Sequence, residues 1–219
     1  MERNNEIAAV IFDCDGVLVD SEPIANRLFH RCLVDLGLEL SAEETNDRFM
    51  GRSMQDCMED VERLLARRVD AAVWSGLAER TQLAFDAELQ PVMDIEHVLQ
   101  GLDLPRCVAS SGSHGKIRHS LRITGLTRYF EHICSADDVS AGKTAPDLFL
   151  LAAKTLSVPP AACVVIEDSL PGVRGAVAAG MRAFGYCERS ADAALAAAGA
   201  TTFRDMRQLP ALLKGRVLG

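Results

Sequence analysis

The run Ile7-Ala-Ala-Val-Ile-Phe12, which ends without transition in Asp13-Cys-Asp-Gly16, constrains this chain more than any other stretch. An apolar run this short reads as a strand covered on both faces rather than as a buried helix. Asp13 and Asp15 then stand at its carboxyl end, and Gly16 lets the backbone turn. Open parallel sheets bind ligands just beyond the carboxyl ends of their strands. Two carboxylates two residues apart repel each other unless a cation sits between them, and Mg²⁺ is the oxygen-seeking ion that fits. Taken alone, Asp-x-Asp-Gly also suits a plain surface turn.

After Asp20 the texture turns helical. Ser21 with Pro23 suits a helix start, and Ile24, Leu28, Cys32, Leu33 and Leu36 recur at helical spacing before Gly37. Ser41-Ala-Glu-Glu44 is a capping-box pattern that opens a second helix, expected to stop near Gly51. Ser53 opens a third, with Met54, Met58, Val61 and Leu65 on one stripe, and Asp70 a fourth running to about Leu89. No strand is read between Asp20 and Gln90.

From Pro91 onward apolar strands alternate with helices. The strands are Arg106–Ser110, His132–Ser135, Cys163–Glu167, Arg182–Tyr186 and Thr201–Phe203, and helices begin near His114, Pro146 and Pro171. Such alternation predicts an α/β fold, a Rossmann-like doubly wound parallel sheet. The core is expected to comprise residues 1–18 and 91–219. Residues 19–90 form an inserted four-helix cap domain, expected to overhang the pocket as a lid. Ala191–Ala200 reads as a surface helix.

The later strands end in groups suited to phosphate chemistry. Ser110 can donate to a phosphate oxygen, joined by the backbone N–H groups of Ser111 and Gly112; an ordinary helix N-cap fits the same residues. Lys143 lies in the loop before the helix that Pro146 opens, where a solvated lysine is the plain alternative. Glu167-Asp168 closes a buried strand, and an acidic pair there is costly unless it is paired or bound to metal. Together these groups surround one edge of one sheet.

Composition narrows the partners. The 219 residues are 48% hydrophobic and 25% charged, with a net charge of -8, which argues against a nucleic-acid surface. The seven cysteines include no Cys-x-x-Cys pair and read as small buried hydrophobes in a reducing compartment. Neither a signal-peptide pattern at Met1–Glu6 nor a membrane-length apolar run is present, so a cytoplasmic protein is expected. A monomer or weak dimer acting on a small phosphorylated metabolite is expected.

In the order of its motifs the chain resembles the haloacid dehalogenase superfamily of aspartyl phosphotransferases. Asp13-Cys-Asp-Gly-Val-Leu-Val-Asp-Ser-Glu22 is similar to the first motif, Ser110 falls at the second, Lys143 at the third and Glu167-Asp168 at the fourth. The insertion is similar to the cap of the group containing β-phosphoglucomutase and small sugar-phosphate phosphatases. The resemblance implies that Asp13 is the nucleophile and Asp15 the general acid and base. It implies Mg²⁺ held by Asp13, the Asp15 carbonyl and Asp168 with Glu167 close by, and phosphoryl oxygens held by Ser110 and Lys143. Ala25 stands where the mutase has a histidine, and Gly51-Arg-Ser-Met54 displaces the arginine of its cap loop. Both departures favour a phosphatase over a phosphomutase. Thr144 replaces the proline common in the third motif. Asp86-Ala-Glu-Leu, Cys107-Val-Ala-Ser, His119-Ser-Leu and Thr201-Thr-Phe with Gln208-Leu-Pro are similar to bacterial phosphatases of 6-phosphogluconate. Arg52 is then a candidate contact for a polyhydroxylated or anionic substrate, or a solvated helix-start residue. An aspartyl-phosphate signalling module is the alternative of another class, but it lacks a second Asp placed to activate water.

Overall fold

The computed structural model describes residues 6–49, 52–188 and 192–215. In chain order its strands and α-helices are β1 (Ala9–Phe12), α1 (Glu22–Asp35), α2 (Ala42–Phe49), α3 (Met54–Leu65), α4 (Ala71–Glu88), α5 (Ile95–Gln100), β2 (Arg106–Ser110), α6 (His114–Ile123), β3 (Ile133–Ser135), α7 (Asp147–Thr155), β4 (Cys163–Glu167), α8 (Leu170–Ala178), β5 (Arg182–Tyr186), α9 (Asp192–Ala197), β6 (Thr201–Phe203) and α10 (Leu209–Leu213). They divide into two compact units, Met1–Asp20 with Gln90–Gly219, and Ser21–Leu89.

The first unit is an α/β fold around a six-stranded sheet of order β3-β2-β1-β4-β5-β6, parallel throughout. Parallel strands covered on both faces read as unbroken apolar runs, and β1 and β4 are buried at every position. Ala9, Ile11, Cys107, Ala109, Cys163 and Val165 pack on one face against Leu148, Phe149 and Ala152 of α7 and Val173 and Ala176 of α8. The other face holds Phe12, whose ring meets Phe130 edge-on at 5.9 Å. All seven cysteines are buried free thiols.

Strand order reverses between β1 and β4, the switch point at which doubly wound sheets open a crevice. The register pairs Phe12 with both Val108 and Ile166, so the residues following β1, β2 and β4 emerge side by side. The peptide N–H of Asp13 still donates to the Ile166 carbonyl at 3.0 Å, extending the ladder to the first acidic residue. Beyond it the chain turns sharply, with Leu18 and Val19 both donating to the Cys14 carbonyl. Residues 18–20 then hydrogen-bond to residues 90–92 through Asp20 N to Gln90 O and Val92 N to Leu18 O.

The second unit holds α1 to α4 around Phe29, Cys32, Leu33, Phe49, Cys57, Val61, Val69 and Leu77. Its caps obey local sequence. Ser41 N donates to Glu44 Oε2 and Glu44 N to Ser41 Oγ, a closed capping box, while Ser53 and Asp70 cap α3 and α4. Ser21 occupies the N-cap of α1 with Pro23 in its first turn, as their order in the sequence predicts, although no helix N–H donates to the Ser21 hydroxyl. One expectation needs correction. The inward face of α3 is Cys57, Asp60 and Val61, with Met54 53% exposed rather than on the buried stripe. Cys57 reaches the Phe49 carbonyl, and Asp60 is drawn to Arg48, Arg52 and Arg63, which rotates the inner face. Gly51, where the second helix was expected to end, and Ala191 lie outside the described residues; α2 ends at Phe49 and α9 begins at Asp192. Among the described residues no helix is long and apolar enough to cross a membrane.

Candidate active site

The chemistry gathers at the carboxyl ends of β1, β2 and β4. Asp13 is buried there, and carboxylate oxygens of Asp13, Glu167 and Asp168 lie within 4.8 Å of one another. Lys143 arrives on the loop preceding α7. Its Nζ stands 2.7 Å from Asp13 Oδ1 and also pairs with Glu167 Oε1, and its side chain is only 9% exposed. These two carboxylate oxygens are buried and accept no directed hydrogen bond among the described residues, so Lys143 answers them through charge.

Glycines set how close these groups can come. Gly16 has φ +76°, and a side chain there would run into the Asp168 carboxylate. In α8, a Cβ at Gly172 would collide with the Glu167 carboxylate and one at Gly175 with the Lys143 carbonyl. The small residues of α8 therefore let the helix press against the acid and the lysine loop together. Ser169 completes this corner: its N–H and hydroxyl both donate to Glu167 Oε2, at 3.0 and 2.8 Å, and its Oγ accepts from Gly172 N.

Burial pushes the Asp13 carboxyl up to about 7, repulsion from Glu167 adds to this, and Lys143 opposes it. Burial works against the charge on Lys143, but Asp13 and Glu167 hold its pKa above the ordinary lysine value. Burial, with Asp15 and Asp13 adding to it, pushes the Cys14 thiol between the two aspartates well above its ordinary value.

Ser110 is buried at the end of β2, its Oγ accepting from the Gly112 N–H at 3.3 Å, while Ser111 is exposed. The loop is braced from β3, with Ser135 Oγ donating to the Gly112 carbonyl at 2.6 Å and His114 bound to Asp137 and Asp138. Asp15 meets Lys116, with Oδ2 2.7 Å from Lys116 Nζ. Arg52 belongs to the helical unit, where it bonds Asp60 at 2.7 Å. Thus Asp13, Lys143, Glu167 and Asp168 converge, Ser110 and Asp15 flank them, and Arg52 is engaged within its own unit. Sequence reasoning passed over Lys116, Ser169 and Gly175; only the Ser-x-Pro-Gly pattern after the acidic pair hinted at the last corner.

The donor set suits a hard divalent cation. The side chains gathered here, Asp13, Glu167 and Asp168, all offer carboxylate oxygens, the choice of Mg²⁺, Mn²⁺ or Ca²⁺ rather than a thiophilic metal. Around it Lys143 pairs with Asp13 and Glu167, and Lys116 with Asp15.

Known proteins of similar sequence and fold point to one family. Residues 7–180 match the family model of haloacid dehalogenase-like hydrolases. The chain is 33% identical over 217 residues to a 6-phosphogluconate phosphatase of Escherichia coli, covering 97% of both. It is 33% identical over 184 residues to a fructose-1-phosphate phosphatase of the same organism, covering 80% of this chain and 94% of that one. A haloacid dehalogenase-like protein of unknown function from Agrobacterium tumefaciens superposes with a TM-score of 0.88 at 34% identity, covering 95% of this chain and 98% of the other. The chain belongs to the haloacid dehalogenase-like hydrolases and is an enzyme of their phosphatase type.

Proposed function

We propose that the protein hydrolyses the phosphate monoester of a small sugar or sugar acid, with 6-phosphogluconate the first substrate to test, through an aspartyl-phosphate on Asp13. The observation that carries this reading is the buried Asp13 carboxylate against Lys143 beside Glu167 and Asp168. Asp13 attacks phosphorus, a P–O bond forms to its carboxylate, and the bond to the sugar oxygen breaks. Asp15 gives that oxygen a proton, then takes one from the water whose attack splits the Asp13–phosphorus bond and releases phosphate. Lys143 and Ser110 hold the phosphoryl oxygens as charge redistributes. Bound at Asp13, the Asp15 carbonyl and Asp168, Mg²⁺ would supply charge neutralisation between nucleophile and phosphate. Glu167, buried and gripped by Ser169, fixes Lys143. Selection among organic groups is assigned to the helical unit Ser21–Leu89, as the family resemblance implies.

The similarity to phosphatases of 6-phosphogluconate and fructose 1-phosphate supports a sugar-phosphate substrate class. Phosphate release from a panel of phosphorylated sugars and sugar acids, with and without Mg²⁺, tests it; a best substrate outside that class would refute the assignment. Asp13→Asn should reduce hydrolysis of an aryl phosphate to background while melting as the wild type does. Near-normal turnover by that variant would overturn the nucleophile.

A further inference from the structure

We propose that Lys116 is a positioning residue that aims the Asp15 carboxyl at the leaving oxygen. The inference rests on the phosphatase reading and deepens it.

Lys116 sits in the first turn of α6, and its own backbone N–H donates to the helix-capping Ser113 Oγ. The cap therefore fixes the stem from which the side chain departs. β2 lies beside β1 in parallel register, which brings the start of α6 next to the turn carrying Asp15. The side chain spans this gap and its Nζ reaches Asp15 Oδ2 at 2.7 Å, between elements about a hundred residues apart in sequence. Both side chains are partly exposed, 39% for Lys116 and 31% for Asp15, so the pair stands at the open margin of the site rather than in the core. An exposed ion pair contributes little to stability, commonly under about 1 kcal/mol. Its contribution is direction: with Oδ2 held, rotation of the carboxyl group is restricted and Oδ1 keeps one bearing. A general acid must meet the departing oxygen within hydrogen-bond reach, and such proton transfer contributes about 10²- to 10⁴-fold. A misaimed Asp15 forfeits part of that factor.

Leaving-group sensitivity separates aim from mere structural support. A sugar alkoxide needs a proton to leave, whereas 4-nitrophenolate does not. The ratio kcat/KM reports the steps up to alcohol departure, so it isolates the acid role of Asp15 from its later role as base. Lys116→Met should lower kcat/KM for the sugar phosphate about 10- to 100-fold, and that for 4-nitrophenyl phosphate less than about 3-fold. Lys116→Arg should recover much of the loss. Equal losses on both substrates, or no loss on either, would overturn the proposal. A raised KM confined to sugar-acid phosphates, with unchanged leaving-group sensitivity, would also overturn it by making Lys116 a contact to substrate. Asp15→Asn serves as reference. If it shows the leaving-group pattern and Lys116→Met does not, the Lys116 inference alone fails. If Asp15→Asn shows no such pattern, the acid assignment falls and takes the role of Lys116 with it.

Discussion

Lys143→Met tests the electrostatic frame of the site most directly. The substitution keeps the apolar stem and removes the charge. It leaves Asp13, 6% exposed, and Glu167, with no exposure, facing each other without their common cation. Removing one partner of a buried pair costs about 3–5 kcal/mol, because the remaining charge stays desolvated. Here one lysine answers two carboxylates, so the upper part of that range is expected in metal-free buffer. Against a total stability of about 5–15 kcal/mol such a loss is large. Urea denaturation monitored by circular dichroism, in chelator, measures it. A second substitution checks the cause. Glu167→Gln removes one of the opposed charges, so Lys143→Met with Glu167→Gln should be more stable than Lys143→Met alone, although each single change destabilises. Additive losses, or a loss under about 1 kcal/mol for Lys143→Met, would refute a buried charge cluster held by this lysine.

The same corner of the fold yields two further expected outcomes. Asp13 has its pKa raised from 3.8 to about 7, so between these values the folded state holds a proton that the unfolded chain has released. Stability of the metal-free protein should therefore fall as pH rises from about 4 to about 7, and Mg²⁺ affinity, which requires the ionised carboxylate, should climb over the same interval; thermal melts in chelator and titration calorimetry read the two. Gly175→Ala should destabilise and slow turnover, although alanine is the better helix former by about 1 kcal/mol, because its Cβ meets the Lys143 carbonyl and the Phe149 ring. At Gly76 in α4 the nearest atom, Arg80 Nη1, is 4.0 Å away, so Gly76→Ala should stabilise, and a like response at both positions would refute the close-approach argument.

The sheet was legible because its strands are local events. Cys163–Glu167 and Arg182–Tyr186 are apolar segments bounded by polar residues, and each forms a strand with those limits. The helical unit was legible at its helix starts, since Ser41, Ser53 and Asp70 act within three residues of themselves. The inner face of α3 was not, because a carboxylate among three arginines outweighed the hydrophobic stripe through Met54. α5 also went unseen: Ile95–Gln100 is shorter than two helical turns and carries too little periodicity to stand out.

The site divides along the same line. Residues to which the proposed chemistry is assigned stand out by type at strand ends, as Asp13 and Glu167-Asp168 do. Residues that only aim or space those groups are ordinary by type and acquire meaning from long-range register. Lys116 gains its role because β2 pairs with β1, and Gly175 because α8 lies against the Lys143 loop. Neither relation leaves a mark on nearby sequence. The same reasoning reaches Ser169, whose neighbour-by-two bond to Glu167 looks from the sequence like a simple helix cap. In the structure it does both jobs, accepting from Gly172 N while its hydroxyl donates to Glu167, so the start of α8 and the direction of the buried acid are fixed by one side chain.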